Sequence, residues 1–82
     1  MRIRKDNEDH YSMWIEDDER GHHDITIYRY TSMKTMKKSE WTINWSAMGE
    51  QDVTTTEKFV NALNEAIRLI KTEEITLMEL DK

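Results

Sequence analysis

The chain has 82 residues, and residues 1–82 are expected to form a single domain, because a chain this short buries only about 60% of its unfolded surface and cannot divide that between two cores. With 37% hydrophobic and 35% charged residues it lies on the polar side of globular, yet three Trp, three Tyr and one Phe exclude a disordered tail. The formal charge of -5, from 12 basic and 17 acidic side chains, argues against sequence-independent duplex binding and points to a protein partner with a basic surface.

Cysteine is absent, so neither disulfides nor thiolate metal ligation is available, and the cytoplasm is the expected compartment. No apolar run approaches the ~20 residues that span a bilayer, and Met1 to Asp6 leads into charge instead of a signal-peptide apolar stretch. Neither secretion nor membrane insertion is expected.

Residues 1–5 read as a short edge strand or a loose arm. From residue 10 to 16, Tyr11, Met13 and Ile15 alternate with Ser12, Trp14 and Glu16, the period of a half-buried strand. After a turn closed by Gly21, Ile25, Ile27 and Arg29 alternate with Thr26, Tyr28 and Tyr30, which completes a hairpin. A polar, lysine-rich loop follows, and then Trp41, Ile43 and Trp45 alternate with Thr42, Asn44 and Ser46. Pairing Glu16 with Asp24, Trp14 with Thr26 and Ser12 with Tyr28 keeps the parities consistent and sets Tyr30 opposite Thr42 and Tyr28 opposite Asn44. One face then collects Tyr11, Met13, Ile15, Ile25, Ile27, Trp41, Ile43 and Trp45; the other is mainly polar but carries Trp14, Tyr28 and Tyr30.

Thr54 to Glu57 reads as a capping box with Thr54 at the N-cap. The helix that follows places Phe59, Leu63, Ala66, Ile67 and Ile70 on one side and Lys58, Asn61, Asn64, Glu65 and Arg68 on the other. For residues 72–80 the β-branched content and the Glu73-Glu74 interruption favour a fourth strand, although Leu77 also continues the helical stripe from Ile70. The expected fold is α+β: a three- to four-stranded antiparallel β-meander with one amphipathic α-helix packed on one face.

In a meander alternate loops return to the same end. Glu16, Asp17, Asp18, Glu19 and Asp24 from the first hairpin loop are therefore expected beside Glu50 and Asp52, with Lys34, Lys37, Lys38, Arg68 and Lys71 at the far end. Such carboxylates also suit a helix N-terminus and tight turns without any further role. Their functional reading is a negative end that steers and docks a cationic surface, including the nucleic-acid groove of an enzyme, since alternate strand residues lie about 6.7 Å apart, near the spacing of phosphates along one strand.

His22, His23, Asp24 and His10 make the one constellation resembling a metal site. Adjacent histidines in a strand point to opposite faces, so solvated turn histidines are expected, with no metal and no cofactor. The clustered carboxylates fall on exposed loops, the serines lack nucleophile-elbow glycines, and Gly21 and Gly49 cannot form a phosphate cradle, so no enzyme activity is expected. Trp14, Tyr28 and Tyr30 on the open face define a second candidate surface, either a protein contact or a platform stacking unpaired bases.

In size, acidity, absence of Cys and Pro, and a sheet followed by one helix, the chain resembles in type many small phage and mobile-element proteins, including anti-CRISPR and anti-restriction inhibitors. This likeness rests on no motif. It implies a small acidic protein-binding module that blocks the basic groove of a nucleic-acid-handling enzyme; the alternatives are a homodimeric single-stranded nucleic-acid-binding sheet and a structural subunit that pairs an edge strand.

Overall fold

The structure, a computed structural model, describes residues 1–16, 23–45 and 51–80. Four strands, β1 (Arg2–Asn7), β2 (His10–Trp14), β3 (Ile25–Tyr28) and β4 (Thr42–Trp45), precede α1 (Val53–Lys71) and a 3-10 turn (Glu74–Leu77). The strands form one antiparallel sheet in the order β1-β2-β3-β4, which gives the α+β meander with a helix expected above. Strand alternation sends Tyr11, Met13, Ile25 and Ile27 to one face, where they are fully buried with Ala62, Ala66 and Leu69 of α1 and with Ile75.

The fourth strand comes from the N-terminus, not from residues 72–80. In β1, Ile3 and Lys5 alternate with Arg2, Arg4 and Asp6, and a bulge between Lys5 and Asn7 leads into the turn, where the Asn7 Oδ1 accepts the Asp9 amide at 2.8 Å. At the other terminus α1 ends when Thr72 donates its amide to Arg68 and Glu73 turns left-handed at φ 61. The chain then makes the 3-10 turn, which buries Ile75; Arg68 fastens it by bonding both Glu65 and Glu74.

Both hairpin registers lie two residues from the expected ones. Ser12 pairs with Thr26 and Met13 with Ile25, while Tyr28 faces Thr42 and Ile27 faces Ile43. The first shift arises because β2 stops pairing at Trp14: the Ile15 amide is taken by the Asp24 carboxylate at 2.7 Å instead of by a strand. In the second hairpin an outer bridge joins Thr31 to Lys38 with one extra residue on the β4 side. A shift of two leaves every side chain on its expected face, so the core is the same in either register.

The helix starts two residues before the expected cap. Asp52, not Thr54, is the N-cap, extended at ψ 168, with its Oδ1 accepting the Thr55 amide at 2.7 Å. Asp52→Ala is expected to lower the melting temperature by a few degrees in a circular dichroism scan, whereas Thr54→Ala leaves it unchanged. The buried stripe of α1 also differs from the expected one: it runs through Ala62, Ala66 and Leu69, flanked by Phe59, Leu63 and Ile70, and Ile67 is exposed. β4 is covered least, and Trp45, expected in the core, is 53% exposed.

Candidate interaction surface

The sheet face turned away from α1 is built from the outward residues of all four strands, and its centre is a polar network around Asp6. The Asp6 carboxylate accepts Arg4 Nε at 2.7 Å and the Ser12 hydroxyl at 2.6 Å, and lies 2.8 Å from His10 Nδ1. Burial opposes its charge, but the bonds from Ser12, His10 and Arg4 outweigh it and hold the carboxyl below its ordinary value of 3.8. Serine, histidine and aspartate meet here without the geometry of a nucleophilic triad, because Ser12 donates to Asp6 instead of to the imidazole and is only 2% exposed.

Trp14 lies on this face by parity but is not an open platform. The Arg4 guanidinium sits 5.0 Å from its ring centroid and His23 packs edge-on at 6.3 Å, which leaves Trp14 5% exposed. Its indole nitrogen is buried with no hydrogen-bond partner among the described residues. Tyr28 and Tyr30 pack edge to face at 5.4 Å, with Tyr30 well exposed. Beside them an open groove of about 600 Å³ is lined by Asn7, Asp9, His10, Thr26, Tyr28 and Asn44 among others. The three aromatics therefore divide: two tyrosines stay accessible and the tryptophan is structural.

At the end of the sheet where β2 finishes, Lys58 of α1 reaches Glu16 at 2.8 Å, so the N-terminal half of the helix shares that end with the residues that follow β2 directly. Glu16, Asp24 and Asp52 all lie there, and each is engaged locally, Glu16 with the Lys58 ammonium, Asp24 with the Ile15 amide and Asp52 as the cap of α1. The Thr55 amide holds the Asp52 carboxyl below its ordinary value, and Glu16 raises the Lys58 ammonium. Asp17, Asp18, Glu19 and Glu50, with His22, fall outside the described residues.

The opposite end is not the basic pole expected from its lysines. The Glu8-Asp9 turn brings acid to it: the Asp9 carboxylate takes Arg29 at 2.8 Å and Lys38 at 3.0 Å, and both bonds depress its pKa. Arg29 also stacks on Trp41, 4.2 Å from the ring centroid. Arg68 is spent on Glu65 and Glu74. Positive and negative groups are thus interleaved among the described residues of this end. Lys34, Met33 and Met36 are exposed on the β3–β4 connection, where Met36 takes a left-handed φ of 58.

Sequence reasoning missed Lys5, which points into the core face at 4% exposure. Its ammonium donates to the Met78 carbonyl at 2.8 Å, meets Glu8 at 3.3 Å and lies 5.8 Å from the Tyr11 ring centroid. Desolvation pulls its pKa down, but Glu8 and Tyr11 outweigh it and the net direction is up. The available signal was parity, since Lys5 falls two residues after Ile3 on the same face of β1.

Among the described residues no three His, Asp or Glu side chains are grouped to hold a metal ion, and no helix is long and apolar enough to cross a membrane. No protein-family model, no curated protein and no solved structure matches the chain.

Proposed function

We propose that this chain is a non-catalytic, cytoplasmic protein-binding module that docks a basic surface through the end of the sheet carrying Glu16, Asp24 and Asp52. One observation supports this reading above the rest: Lys58 of α1 bonds Glu16 just past the end of β2, at the end of the sheet where Asp24 takes the Ile15 amide and Asp52 caps α1; Asp17, Asp18, Glu19 and Glu50, which adjoin these residues in sequence, lie outside the described residues. Among the described carboxylates of this end Lys58 offsets Glu16, while the neutral amides that bond Asp24 and Asp52 leave their charges in place. In its finer form the module is an inhibitor of the phage type, of the anti-CRISPR or anti-restriction kind, set against the groove of a nucleic-acid-handling enzyme.

The alternative of a base-stacking sheet loses support because Trp14 is enclosed by Arg4 and His23. Tryptophan fluorescence titrated with single-stranded oligonucleotides is expected to stay unchanged at micromolar concentrations; quenching there favours the alternative. The acidic end is tested by capture from a lysate with the wild type and with the variant Asp17→Lys, Asp18→Lys, Glu19→Lys. The expected prey is a nucleic-acid-handling enzyme held only by the wild type and released by salt. A prey retained equally by both proteins counts against the proposal.

A further inference from the structure

The groove of about 600 Å³ on the sheet face turned away from α1 is bounded by two cross-strand pairs, His10 with Tyr28 and Thr26 with Asn44. Its size falls within the range of about 300–1,000 Å³ usual for small-ligand sites. The described charges on its rim cancel: Asp9 and Arg29 are bonded to each other at 2.8 Å, and Asp9 also takes Lys38. A phosphate, carboxylate or amine entering the groove therefore finds no spare counter-ion among the described residues.

What the groove does offer is uncommitted hydrogen bonding beside aromatic rings. The side chains of Tyr28, Tyr30 and Asn44 hold no hydrogen bond to any described residue. Asp6 lies outside the groove and holds His10 Nδ1 at 2.8 Å. An ionised carboxylate only accepts, so it fixes the hydrogen of the neutral imidazole on Nδ1 and leaves Nε2 as a bare acceptor. A ligand group opposite Nε2 must donate, which excludes carboxylate and phosphate oxygens; one opposite the Asn44 amide can do either. Tyr28 and Tyr30 meet at 73° with centroids 5.4 Å apart, so they form a corner of ring face and ring edge and not a parallel slot for a flat base.

We infer that this groove is a binding site for a neutral saccharide. A sugar hydroxyl donates and accepts at once, so one type of group satisfies His10 Nε2, the Asn44 amide and the tyrosine hydroxyls. The C–H side of the sugar ring lies on a tyrosine face, whose negative quadrupole attracts those hydrogens. A nucleic-acid strand would bring phosphates that the groove cannot pair and that a net charge of -5 repels. The site is pre-formed, because Asp6 orients His10 and three paired strands carry the other groups. It is also open to solvent, so affinity in the millimolar range is expected.

This inference is independent of the acidic docking end. Its test is amide NMR of the labelled chain titrated with maltose, cellobiose and lactose up to tens of millimolar, with adenosine as the planar neutral control. At least one disaccharide is expected to move the resonances of His10, Thr26, Tyr28 and Asn44 along a saturating curve and to leave Glu16 and Asp52 in place. Asn44→Ala and Tyr30→Ala, both at exposed positions, are each expected to weaken that binding about fivefold or more. Met33→Ala, away from the groove, leaves it unchanged, and the dispersion of each spectrum shows that the variant is folded. Groove resonances silent toward all three sugars, adenosine bound there more tightly than any of them, or sugar binding indifferent to both groove variants overturns the inference.

Discussion

Ile75→Ala is expected to destabilise the domain by about 2–5 kcal/mol, the range for emptying a fully buried aliphatic site. Ile75 has no exposure, and its own carbonyl accepts the Tyr11 hydroxyl at 2.6 Å, so side chain and backbone of one residue hold the C-terminal turn against the sheet. Lys5 adds a second fastening at the Met78 carbonyl. A domain of this size commands roughly 4–12 kcal/mol in total, so the loss removes a large share of its stability. Urea unfolding followed by circular dichroism checks this. Tyr11→Phe, which keeps the ring and deletes one hydrogen bond to a buried carbonyl, is expected to cost about 1–2 kcal/mol. An Ile75→Ala effect below that of Tyr11→Phe contradicts the picture of the turn as a core element.

Asp6→Ala is the second large expected effect, about 1–3 kcal/mol, because it strips the buried Ser12 hydroxyl of its acceptor and leaves Arg4 and His10 without their shared carboxylate. Asp6→Asn retains an acceptor for Ser12 and should fall between the wild type and Asp6→Ala. The pH dependence has a definite sign. Asp6 is held below its ordinary value of 3.8 in the fold, so its ionised form contributes stability that is fully present above that value and is lost as pH falls through it toward the lower folded pKa. Asp9 and Glu65, depressed in the same direction by Arg29 and Arg68, keep part of this acid limb. Urea midpoints measured between neutral pH and pH 3 are therefore expected to fall less steeply for Asp6→Asn than for the wild type.

Strand periodicity made the core face legible without coordinates, because the period of two is insensitive to the register slips that occurred: Tyr11, Met13, Ile25 and Ile27 are where alternation puts them. What it could not show was how far the helix reaches across the sheet, a tertiary property, and so Trp45 was expected in the core and is exposed. Trp14 failed for a related reason. Its cover comes from Arg4 on β1 and from His23, and charged β1 carries too weak an apolar alternation to announce itself as a strand. Residues 72–80 misled because β-branched content favours strand, while Ile75 is claimed by the core once Glu73 has turned the chain left-handed. For the candidate surface, chain order placed Glu16, Asp24 and Asp52 at a common end, but it overlooked the Glu8-Asp9 turn that brings acid to the lysine-bearing end.

The proposal of an acidic docking end is tested most directly by amide NMR of the labelled chain titrated with an arginine-rich peptide. Shift changes confined to residues 16–24 and 50–53, and diminishing as salt is raised, are the predicted result. Changes of equal size at Glu8, Asp9, Glu73 and Glu74 would contradict it, because the negative potential would then surround the molecule instead of gathering where β2 ends and the helix begins.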